Sequence, residues 1–312
     1  MMKTRSRKEL LFHTNFKFIL FLLIPLLLFV AGCTTNQQSF RFVFMTDIHL
    51  QPELYADQGF QTAIQRVNEL KPDFVLTGGD LIMDALGQSF ERSWGLYDLY
   101  LKHLKKFNMP VYNTMGNHEV FGLYPESGVN PDNPEYGKAM YKHRLNYQQT
   151  YYSFDHKGWH FIVLDAIGFK PNRRYFGYVD KDQLNWLEQD LSGVDKSTPI
   201  VVSLHIPLTS VYAQMADSST AGLDSAAVVV NAKQVLAKFN SYNLRLVLQG
   251  HLHIVEEIIF RDTHYITGGA VSAAWWTGPR DGFEEGFLVI DTRGSNFTWR
   301  YEDYGWTVKT EN

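Results

Sequence analysis

The chain has 312 residues, of which 45% are hydrophobic and 20% are charged, and its formal net charge is −4. Such a length and composition are those of a globular protein with a sizeable core, and they exclude a disordered or fibrous chain. The acidic balance argues against a protein that binds along a nucleic acid polymer, because such binding needs a basic face.

The first 33 residues resemble a bacterial lipoprotein signal. Five lysines and arginines precede residue 18, and an apolar run follows over residues 18–30. This run is short for a membrane-spanning helix, which needs about 20 apolar residues. It ends in Val-Ala-Gly, and the only cysteine of the chain, Cys33, comes next. The resemblance implies cleavage before Cys33 and a lipid attached to it, and the alternative is an uncleaved N-terminal anchor.

We therefore expect a signal peptide at residues 1–32 and a polar tether at residues 33–39. The mature protein is expected to be exported and lipid-anchored to a bacterial membrane, on the periplasmic side of the inner or outer membrane if the cell has two. Removing residues 1–32 takes away five basic residues and one acid, so the net charge becomes −8. With a single cysteine the mature chain has no disulfide bond. The sequence leaves the oligomeric state open.

After residue 40 the chain alternates short apolar runs, polar loops and amphipathic helices. In the first half the pattern predicts strands at 40–46, 74–77 and 111–114, and helices at 54–70 and 89–107. Polar residues follow each strand directly. This alternation is typical of an α/β sheet, which binds ligands at the carboxyl ends of its strands.

The second half is richer in strands, which predicts a second sheet. Helices are expected at 180–191 and 225–239. The expected strands lie at 151–154, 159–165, 199–204, 244–248, 255–260, 264–267, 286–291 and 297–301.

Carboxylates, an amide and imidazoles stand at five of these strand ends. The segments are Asp47-Ile48-His49, Gly79-Asp80, Gly116-Asn117-His118, His205 and His251-Leu252-His253. In an extended segment residues two apart point to the same face, so both pairs with this spacing can converge on one site. Such ligands without sulfur suit Mn, Fe or Zn, and they suit two ions if one carboxylate bridges.

Taken in order, these segments resemble the motifs of the calcineurin-like metallophosphoesterase family: DIH, GGD, GNHE, the histidine of SLHIP, and GHLH. The resemblance extends from Asp47 to His253. It implies a four-layer α/β/β/α sandwich, with two mixed β-sheets flanked by helices and a metal site at the carboxyl ends of the strands. The metallophosphoesterase domain would cover residues 40–270, and strands and loops at 271–312 would complete it.

The resemblance also implies two metal ions (Mn, Fe or Zn), with Asp80 as the bridging ligand. It assigns the other ligands to the two ions as follows: Asp47, His49 and His253 to one, and Asn117, His205 and His251 to the other. A hydroxide that bridges the ions would attack phosphorus, and His118 would assist the leaving group instead of binding metal.

The implied function is hydrolysis of a phosphomonoester or phosphodiester outside the cytoplasm, with a substrate that is either small or lipid-linked. The alternative is a catalytically idle lipoprotein that uses the same fold to bind a ligand or partner. Met83 stands where purple acid phosphatases carry a tyrosine ligand, which disfavours the purple iron type.

Several residues near the motifs have two interpretations each. Trp275 and Trp276 could stack on a substrate or pack in the core, and Arg174 could bind a second phosphate or lie in an exposed basic turn. Glu119 could orient His118 or support a metal ligand. Asp84 could likewise orient His118 or be a solvated residue at a helix entry. A zinc-protease motif is excluded because His118-Glu119 is followed at the required position by Gly122.

Overall fold

The computed structural model describes residues 38–309. The predicted signal peptide and Cys33 lie outside the described residues, as does most of the tether. Within the described range, none of the helices combines the length and apolar character needed to cross a membrane.

Between residues 38 and 309 the chain forms thirteen strands, six α-helices and one short 3₁₀ turn at Pro125–Ser127. In chain order the elements are β1 (Ser39–Met45), α1 (Ala56–Leu70), β2 (Phe74–Thr77), α2 (Phe90–Leu104), β3 (Val111–Tyr112), α3 (Ala139–Leu145), β4 (Tyr152–His156), β5 (Trp159–Val163), β6 (Ile167–Phe169), β7 (Tyr175–Gly177), α4 (Lys181–Ser192), β8 (Pro199–Ser203), α5 (Tyr212–Ala216), α6 (Ala232–Ala237), β9 (Asn243–Gln249), β10 (Val255–Phe260), β11 (Thr263–Gly268), β12 (Gly286–Arg293) and β13 (Asn296–Asp303).

Two large mixed sheets organise the fold. The first has the strand order β13-β12-β1-β2-β3, with β1, β2 and β3 parallel and β12 antiparallel to β1. The second has the order β10-β11-β9-β8-β5-β4, in which β5, β8, β9 and β11 are parallel. Parallel pairs need crossover connections, and helices α1, α2, α4 and α6 lie in those of four pairs. Between the parallel strands β9 and β11 the connection contains β10. The predicted mixed sheets flanked by helices are therefore confirmed.

Alternation along the strands divides the core into an inner and an outer part. On β1, Phe42 and Phe44 belong to an aromatic-rich cluster between the sheets, whereas Val43 and Met45 belong to the cluster that includes the helices. The ring of Phe42 meets that of Phe161, on β5, edge to face at 5.4 Å. Because successive side chains of a strand point to opposite faces, a strand covered on both faces is apolar throughout.

The helix predicted at residues 225–239 is mostly wrong, since only Ala232–Ala237 is helical. The preceding segment contains three consecutive valines, and β-branched residues favour extended structure. Val229 forms a bridge with Gly177 at the end of β7. The side chain of Asn231 bonds to both backbone groups of Val179, so the chain follows β7 before it turns into α6.

Gly59 and Gly95 give a matched test of the packing around α1 and α2. A Cβ atom on Gly59 would lie 2.2 Å from the ring of Trp276. A Cβ atom on Gly95 would have no described neighbour within 4 Å. We expect Gly59→Ala to lower the free energy of unfolding by about 1–3 kcal/mol through overpacking. Gly95→Ala, at an exposed helical position, should raise it by about 0.5–1 kcal/mol. Urea unfolding of both variants measures the two values, and equal effects would contradict this placement of Trp276.

Candidate metal centre

The carboxyl ends of five parallel strands bring the predicted ligands together. Six of the seven are buried to 2% exposure or less. The ligands follow β1 (Asp47, His49), β2 (Asp80), β3 (Asn117), β8 (His205) and β9 (His251, His253). Both sheets contribute, so the site lies where their parallel strands end together.

The backbone at five of the seven ligands is left-handed, not extended as the two-residue spacing suggested. The φ angles are 54° at Asp47, 46° at His49, 52° at Asp80, 72° at His251 and 56° at His253. Each pair still converges, but it does so through tight turns after the strand. A non-glycine residue in this region costs of order 1 kcal/mol or more, and such residues cluster at functional sites.

One group of ligands consists of Asp47, His49 and His253. The Nε2 atoms of the two imidazoles lie 2.9 Å apart. Oδ1 of Asp47 lies 3.3 Å from Nε2 of His253 and 3.8 Å from Nε2 of His49. Three potential ligand atoms therefore face a common point.

A second group consists of Asp80, His205 and His251. Nε2 of His205 lies 3.0 Å from Oδ2 of Asp80 and 3.1 Å from Nδ1 of His251. The same Oδ2 atom lies 3.7 Å from Nε2 of His49 in the first group. Asp80 thus stands between the two groups, at the position that a bridging carboxylate needs.

Hydrogen bonds to backbone carbonyls fix which ring nitrogens face the site. Nδ1 of His205 donates to the carbonyl of Gly78 at 2.8 Å, and Nδ1 of His253 donates to the carbonyl of Ala273. Since a carbonyl only accepts, Nε2 of each neutral ring carries its lone pair toward the carboxylates. Such second hydrogen bonds are typical of metal-binding histidines.

The residues present fit a metal centre. Lone pairs and carboxylate oxygens that face one another repel unless a cation or protons lie between them. In addition, Oδ1 of Asn117 and Nδ1 of His49 are buried without a hydrogen-bond partner among the described residues. Buried polar atoms are rarely left without a partner, so an unpaired amide oxygen that lines the cavity suits a metal ligand.

The carboxylate and imidazoles of the second group shift one another's pKa values. Burial lowers the pKa of His205, but Asp80 outweighs it and raises that pKa to about 9. For the Asp80 carboxyl, burial raises the pKa, and the neighbouring His205 and His118 together bring it well below its usual range. Burial lowers the pKa of His251, and the neighbouring His205 lowers it further, to about 3. A cation is thus favoured between these groups.

Glu119 ties together two of the ligand loops. Its carboxylate accepts hydrogen bonds from the backbone N–H groups of Asp80, Leu81, Ile82 and Gly116, at 2.7–3.2 Å. Burial and the Asp80 carboxylate raise the pKa of Glu119 to about 7, whereas the four N–H groups favour its ionised form. Of its two interpretations, the contacts favour support of the ligands after β2 and β3.

His118 lines the cavity next to Asp80. Its Nδ1 donates to the carbonyl of Met83, which turns Nε2 toward the cavity, 3.8 Å from Oδ2 of Asp80. Burial lowers the pKa of His118, but Asp80 and Asp84 raise it more, so the net shift is upward. Asp84 itself accepts a hydrogen bond from the backbone N–H of Leu86 at 2.8 Å and so stabilises a turn.

The cavity at the metal centre has a volume of about 230 Å³. Besides the predicted residues it is lined by Tyr175, from β7, and by Arg280. Neither residue was predicted from the sequence, because neither follows a strand of the motif pattern. The tyrosine lies in a three-residue strand, and the arginine lies in a C-terminal loop that long-range contacts bring to the site.

The structure separates the predicted substrate contacts. Trp275 lines the cavity, with its ring centroid 4.6 Å from that of His253. For Trp276 the packing interpretation applies, since it is 1% exposed and its indole N–H donates to the carbonyl of His49 at 3.1 Å. Arg174 is not among the described residues that line the cavity. Its guanidinium pairs with Glu126 at the surface, so the basic-turn interpretation applies.

A loop beyond β11 supports the backbone of the ligand segments. Ser272 contacts the carbonyl of Asp47 through both its N–H (3.2 Å) and its hydroxyl (2.8 Å). Val271 donates to the carbonyl of Thr46 at 3.0 Å. We call residues 271–276 the bracing loop.

Comparison with known proteins agrees with this arrangement. Residues 40–255 match the family model of the calcineurin-like phosphoesterases. A 3',5'-cyclic-nucleotide phosphodiesterase of a Nostoc species is 25% identical over 278 residues, which are 86% of this chain and 90% of the relative. Purple acid phosphatase 13 of Arabidopsis thaliana is 29% identical over 127 residues, which are 38% of this chain and 20% of the relative.

Solved structures share the fold at low sequence identity. A dimetal phosphatase from Danio rerio superposes with a TM-score of 0.58 at 14% identity and covers 83% of this chain and 98% of its own. GAP50, the anchor in the inner membrane complex of Plasmodium, superposes with a TM-score of 0.54 at 16% identity and covers 85% of each chain.

The fold, the clustered ligands and these relatives define a metal-dependent phosphoesterase. The family match spans more than half of the chain. The chain belongs to the calcineurin-like phosphoesterase family.

Proposed function

We propose that this protein is an exported, lipid-anchored phosphohydrolase that uses two transition-metal ions to cleave a phosphomonoester or phosphodiester. The observation that carries the proposal is the meeting of two ligand groups at Asp80, with His118 beside them.

The chemistry of the donor atoms assigns the proposed ligands. Three carboxylate and amide side chains and four imidazoles without sulfur suit Mn, Fe or Zn. When bound, such ions polarise phosphoryl oxygens and make water a nucleophile at neutral pH. One ion would be held by Asp47, His49, Asp80 and His253, and the other by Asp80, Asn117, His205 and His251.

His118 is suited to protonate the leaving oxygen. The Met83 carbonyl holds the proton on Nδ1, so Nε2 is the ring nitrogen that exchanges a proton in the cavity. Burial lowers the pKa of His118, but Asp80 and Asp84 raise it more, and this favours the protonated form of the ring. Over the whole reaction the hydroxyl of water joins phosphorus and the P–O bond to the leaving group breaks. The leaving oxygen takes the proton of Nε2, and the proton that the water releases restores His118.

The names of the relatives support both substrate classes. The Nostoc relative, which covers most of this chain, is a cyclic-nucleotide phosphodiesterase, and the Arabidopsis relative is a purple acid phosphatase. Both monoesters and diesters are therefore test substrates.

Metal analysis and hydrolysis assays of the full chain test the catalytic part of the proposal. We expect about two transition ions per chain, as in other two-metal phosphatases. The loaded protein should hydrolyse at least one of p-nitrophenyl phosphate, bis(p-nitrophenyl) phosphate and 3',5'-cyclic AMP. A chain that retains no metal and hydrolyses none of a wider set of phosphoesters would instead be the idle binding protein.

Cys33 carries the anchoring part of the proposal. In a bacterial host, Cys33→Ala should abolish labelling with radioactive palmitate, because the acylated thiol is gone. Cys33→Ser, which is closer in size to the native residue, should lose the label as well. Labelling that persists in both variants would contradict lipidation at Cys33. A wild-type protein whose mass still includes residues 1–32 would contradict cleavage before Cys33.

A further inference from the structure

Arg280 carries the only permanent positive charge among the described residues that line the cavity at the metal centre. The other lining residues are carboxylate, amide, imidazole and aromatic side chains. A guanidinium has five N–H donors in a planar fork that matches phosphate oxygens. The feature therefore points to an anionic part of the substrate.

Trp275 holds this guanidinium beside the metal ligands. The central carbon of the Arg280 guanidinium lies 4.9 Å from the centroid of the Trp275 ring, a distance typical of cation–π contacts. The same ring approaches His253 at 4.6 Å and His49 at 5.9 Å, measured between centroids. One aromatic ring thus links Arg280 to two proposed ligands of the same ion.

The charge of Arg280 is only loosely paired within the protein. Its closest carboxylate among the described residues is that of Asp281, which lies 4.0 Å from Nε. Asp281 also accepts a hydrogen bond from the hydroxyl of Tyr212 at 2.6 Å. Paired backbone hydrogen bonds between Arg280 and Phe283, at 2.8 and 3.0 Å, fix the loop. The loop thus positions Arg280, and at 4.0 Å its guanidinium makes no close hydrogen bond to a carboxylate of the described residues.

The charge of a phosphoester depends on its class. A phosphomonoester carries about −1.5 to −2 near neutral pH, whereas a diester carries one negative charge. Since Coulomb energy is proportional to charge, a fixed cation attracts the monoester more strongly. A monoester also offers three terminal oxygens to hydrogen-bond donors, and a diester offers two.

The cavity is small, with a volume of about 230 Å³, and it is open to solvent. A terminal phosphoryl group can enter it with its single substituent directed outward.

We propose that Arg280, positioned by Trp275, binds a terminal phosphoryl oxygen and makes the site selective for phosphomonoesters. This inference rests on the proposed hydrolysis and specifies its substrate class. Arg280 is thereby a residue that contacts substrate, and Trp275 is a positioning residue.

The test compares Arg280→Gln with the wild type on p-nitrophenyl phosphate and bis(p-nitrophenyl) phosphate, using the metal-loaded full chain. Losing a charged hydrogen bond should raise KM for the monoester about 10- to 100-fold. The diester should change several-fold less, so the ratio of the two kcat/KM values falls. Arg280→Lys keeps the charge without the planar fork and should restore part of this ratio. Equal losses on both esters, or no loss, would overturn the proposal.

Arg261→Gln is the control for a general change of charge, because this exposed arginine lies at the β10–β11 turn, at the amino ends of the parallel strands. It should leave both KM values unchanged. Calorimetric titration with inorganic phosphate supplies a readout besides turnover, and Arg280→Gln should raise the Kd for phosphate about 10- to 100-fold. An unchanged Kd counts against Arg280 even if the wild type hydrolyses no ester. A wild type without any hydrolysis would refute the proposed function separately.

Discussion

Replacing Asp80 by alanine is expected to abolish hydrolysis and to lower the metal content of the protein. Asp80 is 2% exposed, and its Oδ2 atom faces imidazoles of both ligand groups at 3.0 and 3.7 Å. Its removal therefore affects both proposed ions, whereas loss of any other ligand affects one. Metal ions supply several kcal/mol of transition-state stabilisation, so we expect kcat/KM to fall by about 10³-fold or more.

Metal content by mass spectrometry and kcat/KM for the best substrate measure this effect. Asp195→Ala is a matched control, because Asp195 is exposed in the turn before β8, at the opposite ends of the strands. It should bind metal and turn over as the wild type does. An Asp80→Ala protein that is folded, keeps both ions and stays active would exclude a bridging role for this carboxylate.

His118→Asn is expected to keep the metals and to lower kcat by roughly 10²- to 10⁴-fold, the range for a lost general acid. Nε2 of His118 faces the cavity, while the protein holds Nδ1 at the carbonyl of Met83. The loss should be smaller for p-nitrophenyl esters than for alkyl esters, because p-nitrophenolate leaves without a proton. This dependence on the leaving group separates an acid from a residue that only shapes the site.

The competing role for His118 is that of a ligand. Its ring lies within reach of a group formed with His49 and Asp80, so geometry alone permits metal binding. The metal content of His118→Asn decides between the two roles. Loss of one ion per chain would make His118 a ligand, and retention of both with low kcat supports the acid.

The ordered polar motifs predicted much of the site because each one lies directly after a strand. A strand end is a local feature, and parallel strands bring their carboxyl ends to one edge, so short segments suffice to indicate the cluster. The two mixed sheets flanked by helices follow from the same alternation of elements. The roles of the individual ligands remain predictions.

Other features depend on contacts that a local pattern does not contain. The apolar residues around Val228–Val230 are predicted as part of a helix. In the structure Val229 forms a bridge with Gly177 at the end of β7, and the segment stays irregular. Arg280 lines the cavity in contact with Trp275 of the bracing loop, far along the chain from the strand-end motifs. Trp275 and Trp276 are adjacent in sequence, yet one faces the cavity and the other is buried, because both adopt left-handed backbone angles (φ 52° and 71°) in a tight turn.

The bracing loop has a consequence for where the working unit of this protein ends. The family match stops at residue 255, but the carbonyls of Asp47 and His49 are held by Ser272 and Trp276, and Ala273 accepts from His253. Strand β12 then pairs along β1 from Ser39 to Phe44. A polypeptide that ends at residue 255 would retain all seven proposed ligands. It would still lose the hydrogen bonds that position Asp47, His49 and His253. For this protein, the minimal catalytic fragment has to include the C-terminal strands.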